Sequence, residues 1–164
     1  MRKIRHQRLA LQLPSLRLEG GLFLPDQLEK AALGQAQHQT EADYGIPRGL
    51  KLQDEYGRAF QIATAQWRHF APQMERTDLD AAALTHRFVT ELLRDAFGYS
   101  QLAQVAGLGI GDRHYPISAL AGSLPLVIAP HDLGLDEPDP RFAVAGSGSR
   151  RKSPFQLAQE YLNA

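Results

Sequence analysis

The chain has 164 residues, of which 43% are hydrophobic and 22% are charged, and its formal net charge is zero. A neutral chain lacks the broad positive field of an autonomous nucleic-acid-binding protein, so such binding would need local clusters of basic residues. The absence of cysteine excludes disulfides, thiolate metal ligands and cysteine nucleophiles. No apolar run approaches the roughly 20 residues of a membrane span, and we expect a cytoplasmic protein with no membrane partner.

The chain opens with a basic arm over residues 1–21. Its first eight residues contain four bases and no acid: Arg2, Lys3, Arg5 and Arg8. Basic tails contact nucleic acid in some proteins and are solvated in others, so these four residues are candidate phosphate contacts.

A folded core is expected over residues 22–130, with helices over 24–33, 51–71 and 78–97. The second helix has apolar residues at three- and four-residue spacing, which predicts one buried face: Leu52, Tyr56, Phe60, Ala63, Trp67 and Phe70. The third helix has Thr77 or Asp78 as its candidate N-cap, and Gly98 follows it in a position typical of a left-handed residue.

Two short apolar runs bounded by Gly and Pro follow, and they predict strands over 115–120 and 124–129. Residues 131–152 are rich in Gly, Pro and Asp and indicate a mobile connector. A last helix is predicted over 153–164, where Ser153, Pro154 and Gln156 match a capping box. The chain is therefore expected to be a single α/β (α+β) module, with helices packed on a small mixed sheet.

The segment just before the last helix is the strongest binding candidate. It contains three consecutive bases, Arg150, Arg151 and Lys152. Basic side chains next to the unpaired N–H groups of a helix N-terminus favour a phosphate, and we assign these three residues as candidate DNA contacts.

The sequence predicts no catalytic residue and no metal ligand. The six histidines form none of the spacings HxH, HxxxH or HExxH that bind zinc, and the serines lack a G-x-S-x-G elbow. The acids of 131–139 do not match a calcium loop. The glycines of 143–150 follow two prolines and are separated from the helix by three bases, which is not the context of a cofactor loop.

Four stretches, read together, resemble a known family. They are "EADYGIPRGLKLQDEYGRAFQIATAQWRHF", "RFVTELLRDAFGYS", "HYPISALAG" with "LPLVIAP", and "SRRKSPFQLAQEYLNA". Their order resembles the N-terminal region of large type IIG-like restriction–modification DNA adenine methyltransferases, including relatives in BREX and DISARM phage-defence systems. The resemblance covers most of residues 41–164 and implies that such proteins continue beyond this point into a methylase domain.

The resemblance implies a non-catalytic N-terminal module that positions DNA or the downstream methylase domain. S-adenosylmethionine is expected as the cofactor of the parent adenine-N6 methyltransferase, and no cofactor is expected in this chain. The family's N/D-P-P-Y/F tetrapeptide, which holds the target adenine, does not occur here. DNA and the methylase domain are the implied partners.

In some relatives this region resembles a PD-(D/E)xK nuclease, whose carboxylates bind Mg²⁺. The order of predicted elements fits a degenerate scaffold of that kind. The expected acid and E-x-K positions hold Ile117-Ser118-Ala119 and Ala129-Pro130-His131 instead. Two alternatives stay open: a divergent Mg²⁺ nuclease that uses Asp132, Asp136 or Glu137, and a protein–protein docking domain.

Overall fold

The computed structural model describes residues 24–148 and 150–164. They belong to two compact units, which divide between Glu55 and Tyr56. Four α-helices are present in the described residues: α1 (Pro25–Ala32), α2 (Leu52–Phe70), α3 (Ala81–Glu91) and α4 (Pro154–Leu162). Five strands lie between α3 and α4: β1 (Leu102–Gln104), β2 (Leu108–Ile110), β3 (Arg113–Tyr115), β4 (Ala119–Ala121) and β5 (Leu124–Leu126). The fold class is mixed α and β, as predicted.

Local signals explain where the helices begin. α1 has Pro25 in its first turn, where the missing N–H costs nothing, and its Asp26 lies 3.8 Å from Lys30 one turn later. α3 begins later than predicted, because Asp80 is its N-cap in place of Thr77 or Asp78. The Asp80 carboxylate accepts hydrogen bonds from the backbone N–H groups of Ala82 and Ala83.

The last turn of α3 widens into a π-helix over Leu92–Ala96, and Gly98 then adopts the predicted left-handed conformation. Two side chains of α2 bind this widened turn. Arg58 donates a hydrogen bond to the Asp95 carbonyl at 3.1 Å, and the Gln66 amide donates to the Asp95 carboxylate at 3.3 Å. The π-helical turn thus presents the carbonyl and the carboxylate of Asp95 to α2.

The buried face of α2 differs from the predicted one. Phe70 is buried and stacks on Phe88 of α3, with 4.2 Å between ring centroids. Tyr56, Phe60 and Trp67, which were expected in the core, are exposed. The prediction was wrong for these three residues because spacing shows that apolar residues share a face but not whether a neighbour covers it.

The strands form two small antiparallel sheets, one in the order β1-β4-β5 and one containing β2 and β3. Every described pairing is antiparallel, so the expectation of a mixed sheet was wrong. Only antiparallel strands can be joined by two-residue loops, and both hairpins here have such loops. Gly111 and Gly122 have φ of 60° at the first loop position, as a type II′ turn requires.

A cluster of buried side chains joins the β2–β3 hairpin to α4. Its members are Tyr115, Ile117, Phe142, Val144 and Leu157. Each fully buried apolar side chain of this size contributes about 1.5–3 kcal/mol. Phe142 and Val144 come from 131–152, the interval expected to be a mobile connector, so part of that interval packs into the core and fixes the approach to α4.

Candidate nucleic-acid interface

The predicted capping box at the start of α4 is confirmed. The Ser153 hydroxyl accepts the Gln156 backbone N–H at 3.1 Å, and the Gln156 side-chain oxygen accepts the Ser153 N–H at 3.0 Å. Ser153 is 1% exposed, and both bonds are partly buried. The cap fixes the direction in which the chain enters α4 and therefore the position of the bases before it.

The first turn of α4 leaves no N–H group for an anion. Pro154 has none, the Phe155 N–H donates to the Leu135 carbonyl at 3.1 Å, and the Gln156 N–H donates to the cap. The expectation of unpaired donors at this helix end was therefore wrong. A phosphate at this place would have to be held by side chains.

Two of the relevant side chains converge on Glu160, in the C-terminal half of α4. Its carboxylate lies 2.6 Å from the Lys152 ammonium and 3.1 Å from the Arg113 guanidinium. Lys152 and Glu160 side chains are only 16% and 20% exposed, so this pair is partly shielded. One carboxylate thus holds two cations in fixed positions.

A second ion pair flanks the basic segment. Arg141 binds the Asp139 carboxylate through two hydrogen bonds of 2.9 Å. These bonds, together with the Arg141 backbone N–H and the charge of Arg151, lower the pKa of Asp139 to about 2. Asp139 also pairs with Lys152 through antiparallel backbone hydrogen bonds, which hold the basic segment beside Asp139.

Arg113, Lys152 and Glu160 line a polar cleft of about 620 Å³. The cleft is bounded by β3, the basic segment and one face of α4, and its lining residues are Arg113, Pro138, Arg151, Lys152, Gln156, Gln159, Glu160 and Asn163. We call it the basic cleft. Three of these side chains are cationic and one is a carboxylate, which leaves an excess of two positive charges. The amide side chains add hydrogen-bond donors and acceptors.

The structure separates the predicted site residues. Arg151 and Lys152 line the basic cleft, whereas Arg150 is exposed and does not. Arg2, Lys3, Arg5 and Arg8 lie outside the described residues.

Arg113 is a member of the cleft that sequence reasoning missed. It lies 47 positions before its partner Glu160, and no local pattern links the two. The one available signal was Gly111 in "GLGIGD", which marks the turn of the hairpin that brings Arg113 to α4.

The acids considered for a nuclease do not gather with other ligands. Within residues 24–148 and 150–164, no three His, Asp or Glu side chains come together as a metal-binding group. Glu137 instead accepts the Gly134 N–H within its own loop, at 3.4 Å.

Of the helices that the structure describes, each is too short or too polar to cross a bilayer.

Comparison of the chain with protein-family models, with curated proteins and with solved structures finds no match. The basic cleft is therefore interpreted from its own geometry, and the resemblance to methyltransferases stays a prediction.

Proposed function

We propose that this chain is a non-catalytic DNA-positioning module that binds backbone phosphates in the basic cleft. The observation that carries the proposal is the convergence of Arg113, Arg151 and Lys152 from two distant parts of the chain on one polar cleft. Arginine and lysine side chains provide most contacts to DNA phosphates, and amide side chains provide further ones.

The charge distribution favours a local contact with DNA rather than binding by a broad positive surface. The chain as a whole is neutral, so long-range attraction to DNA is weak. Arg113 and Lys152 share the Glu160 carboxylate and leave one excess positive charge beside it, and Arg151 adds the second. Cations held in place lose less side-chain entropy when a phosphate binds, which favours binding at this point.

The wider context of the proposal comes from sequence resemblance alone. We infer that the module precedes the methylase domain of a restriction–modification or phage-defence protein and that S-adenosylmethionine binds in that downstream domain. The degenerate PD-(D/E)xK scaffold belongs to the same inference. Reading the coding sequence beyond codon 164 tests this context, because an in-frame methylase tetrapeptide is expected there.

The binding proposal is tested by fluorescence anisotropy with a labelled DNA duplex across a series of salt concentrations. The slope of log K against log salt is negative, and each lost phosphate contact reduces its magnitude by about 0.9. The double variant Arg113→Ala/Arg151→Ala is therefore expected to lose nearly two units of slope and to bind more weakly at every salt concentration. Arg87→Ala is the matched control, since Arg87 is exposed on α3 and outside the cleft.

Two results would overturn the proposal. One is a wild-type chain that shows no salt-dependent binding to the duplex. The other is equal loss of binding in the cleft variant and in Arg87→Ala, which would indicate non-specific charge. Circular dichroism of each variant shows whether the fold is intact before its binding is compared.

A further inference from the structure

One face of α4 is exposed and centred on Gln159. Leu157 is fully buried and Tyr161 packs against the same core cluster, and at about 100° per residue both lie about 160° around the helix from Gln159. The core therefore holds α4 by the side opposite Gln159. The exposed residues within about 60° of this position are called the Gln159 face: Phe155, Gln156, Gln159, Leu162 and Asn163.

The polar half of the Gln159 face belongs to the basic cleft. Gln156, Gln159 and Asn163 line the cleft together with its cations. The Gln156 side-chain oxygen is occupied by the Ser153 N–H. In the part of the chain that the structure describes, no hydrogen bond occupies the side-chain amides of Gln159 and Asn163. Each of these two amides can therefore offer an acceptor oxygen and a donor NH₂ at the same time.

An amide with both groups free matches one base in the major groove of DNA. Adenine presents an acceptor at N7 beside a donor at N6, and Asn or Gln binds the two with a pair of hydrogen bonds. Guanine presents two acceptors at the same edge, so the amide oxygen has no partner there. Exposed amides beside phosphate-binding cations therefore favour A·T over G·C base pairs.

The spacing of the two amides fits neighbouring base pairs. Gln159 and Asn163 are four residues apart, which is about 6 Å along the helix axis and about 40° around it. Base pairs follow one another at about 3.4 Å along the duplex, so the amides are separated by about two base-pair steps. The major groove is about 12 Å wide and admits an α-helix. A helix lying along the groove thus brings both amides to base edges.

The apolar half of the Gln159 face supports the same base pair. Phe155 is 52% exposed and Leu162 80%, and around the helix both lie on the side of Gln159 away from Gln156 and Asn163. Thymine projects a methyl group into the major groove, where apolar side chains contact it, and cytosine has no such group. Amides on one side and apolar side chains on the other therefore match the edge of an A·T pair.

We propose that the Gln159 face of α4 enters the major groove of DNA and reads A·T base pairs, with Gln159 as the main specificity-determining residue. This inference rests on the proposed function, in which Arg113, Arg151 and Lys152 hold the phosphates. Phosphate contacts fix position, and base contacts carry sequence information. The first kind of contact determines the salt slope, and the second determines the ratio of affinities for two sequences.

Fluorescence anisotropy with three labelled duplexes of equal length tests this inference. They contain only alternating A·T pairs, only alternating G·C pairs, or only alternating inosine·C pairs. Inosine lacks the N2 amino group of guanine, so the inosine duplex resembles G·C in the major groove and A·T in the minor groove. The wild-type chain is expected to bind the A·T duplex about 5- to 150-fold more tightly than the inosine duplex, which is the range for one bidentate base contact.

Gln159→Ala is expected to reduce this ratio about fivefold or more and to leave the salt slope unchanged, because it removes a base contact and no charge. Alanine is favourable in an exposed helix, so the fold should be kept. Arg151→Ala should have the opposite effect, with a smaller slope and an unchanged ratio. Gln61→Ala is the matched control, since Gln61 is exposed on α2 and outside the cleft, and it should change neither quantity.

The outcomes distinguish this inference from the proposed function. No salt-dependent binding to any of the three duplexes would overturn both. Salt-dependent binding that is no tighter for the A·T duplex than for the inosine duplex would overturn the reading of A·T pairs and leave phosphate binding in the cleft intact. A ratio that Gln159→Ala does not change would overturn the role of Gln159 in the same way.

Discussion

Lys152 lies 2.6 Å from the Glu160 carboxylate, and this ion pair joins the predicted basic segment to the C-terminal half of α4. The same carboxylate binds Arg113, so one acid neutralises part of the charge that would attract a phosphate. Glu160 thus has two opposing effects: it positions the cations and it weakens their field. A substitution that removes the charge but keeps the shape separates the two.

We expect Glu160→Gln to increase the affinity of the chain for duplex DNA at low salt and to steepen the salt slope by about 0.9. We also expect the free energy of unfolding to fall by about 1 kcal/mol, because Lys152 loses a charged partner in a partly shielded site. Anisotropy and urea denaturation measure the two effects. Glu75→Gln, at an exposed position outside the cleft, should change neither, and a decrease in affinity for Glu160→Gln would show that positioning outweighs charge.

The neighbouring residues Arg150 and Arg151 provide a second comparison. Both are exposed bases of the same segment, but only Arg151 lines the basic cleft. Arg151→Ala is therefore expected to lower the salt slope by about 0.9, and Arg150→Ala to lower it much less. Equal effects would mean that the segment acts as a diffuse charge and that the cleft does not define the binding site.

The cap of α4 gives a prediction about stability. Ser153→Ala removes the acceptor of the Gln156 N–H in a position that is 1% exposed, and we expect a loss of about 1–2 kcal/mol in urea denaturation. Asp80→Ala, which removes the cap of α3, is the matched variant. Its cap bonds are exposed to water, so its loss should be no larger than that of Ser153→Ala, and the reverse order would contradict the role given to burial.

The helices could be predicted from the sequence because their signals are local. Pro25, Ser153 and Pro154 lie within one turn of the helix starts that they mark, and Gly98 ends the α3 segment as expected. The start of α3 was misplaced because Thr77, Asp78 and Asp80 are all suitable caps, and only the structure shows which one accepts the helix N–H groups.

The remaining features depend on contacts between distant residues. Strands β1 and β2 have three residues each, too few for alternation to be recognised. Arg113 reaches the cleft only because the hairpin packs against α4, and the exposure of Phe60 depends on what lies beside α2. The spacing of neighbouring residues predicts none of these contacts.

The Asp139–Arg141 pair predicts a pH dependence. The guanidinium bonds lower the pKa of Asp139 from 3.8 to about 2 in the folded chain, so its stabilising effect is complete above about pH 4 and is lost as the pH falls through 2. Asp139→Asn keeps an oxygen for the Arg141 N–H but removes the charge. The variant should be less stable than wild type at pH 7, and this difference should shrink between pH 4 and pH 2. Other carboxylates cancel in the comparison, and a difference independent of pH would contradict the assignment.

Gly107 lies where the chain turns into β2, and it has no room for a side chain. Its φ is 104°, and a Cβ there would lie 2.6 Å from the Tyr115 carbonyl and would also collide with the His114 ring. That ring donates a hydrogen bond from Nε2 to the Ala106 carbonyl at 2.9 Å, so it cannot move away without losing the bond. We expect Gly107→Ala to lower the free energy of unfolding by about 3 kcal/mol or more.

Gly111 is the control for this prediction, because its φ is 60° and a Cβ added to it would have no atom of another part of the chain within 4 Å. Gly111→Ala therefore has the conformational cost alone, about 1–2 kcal/mol. Urea denaturation of both variants measures the difference, which reports the close approach of His114 and Tyr115. If the two variants were equally stable, Gly107 would be required only for its backbone conformation, and the hairpin that carries Arg113 would be less tightly packed than the structure indicates.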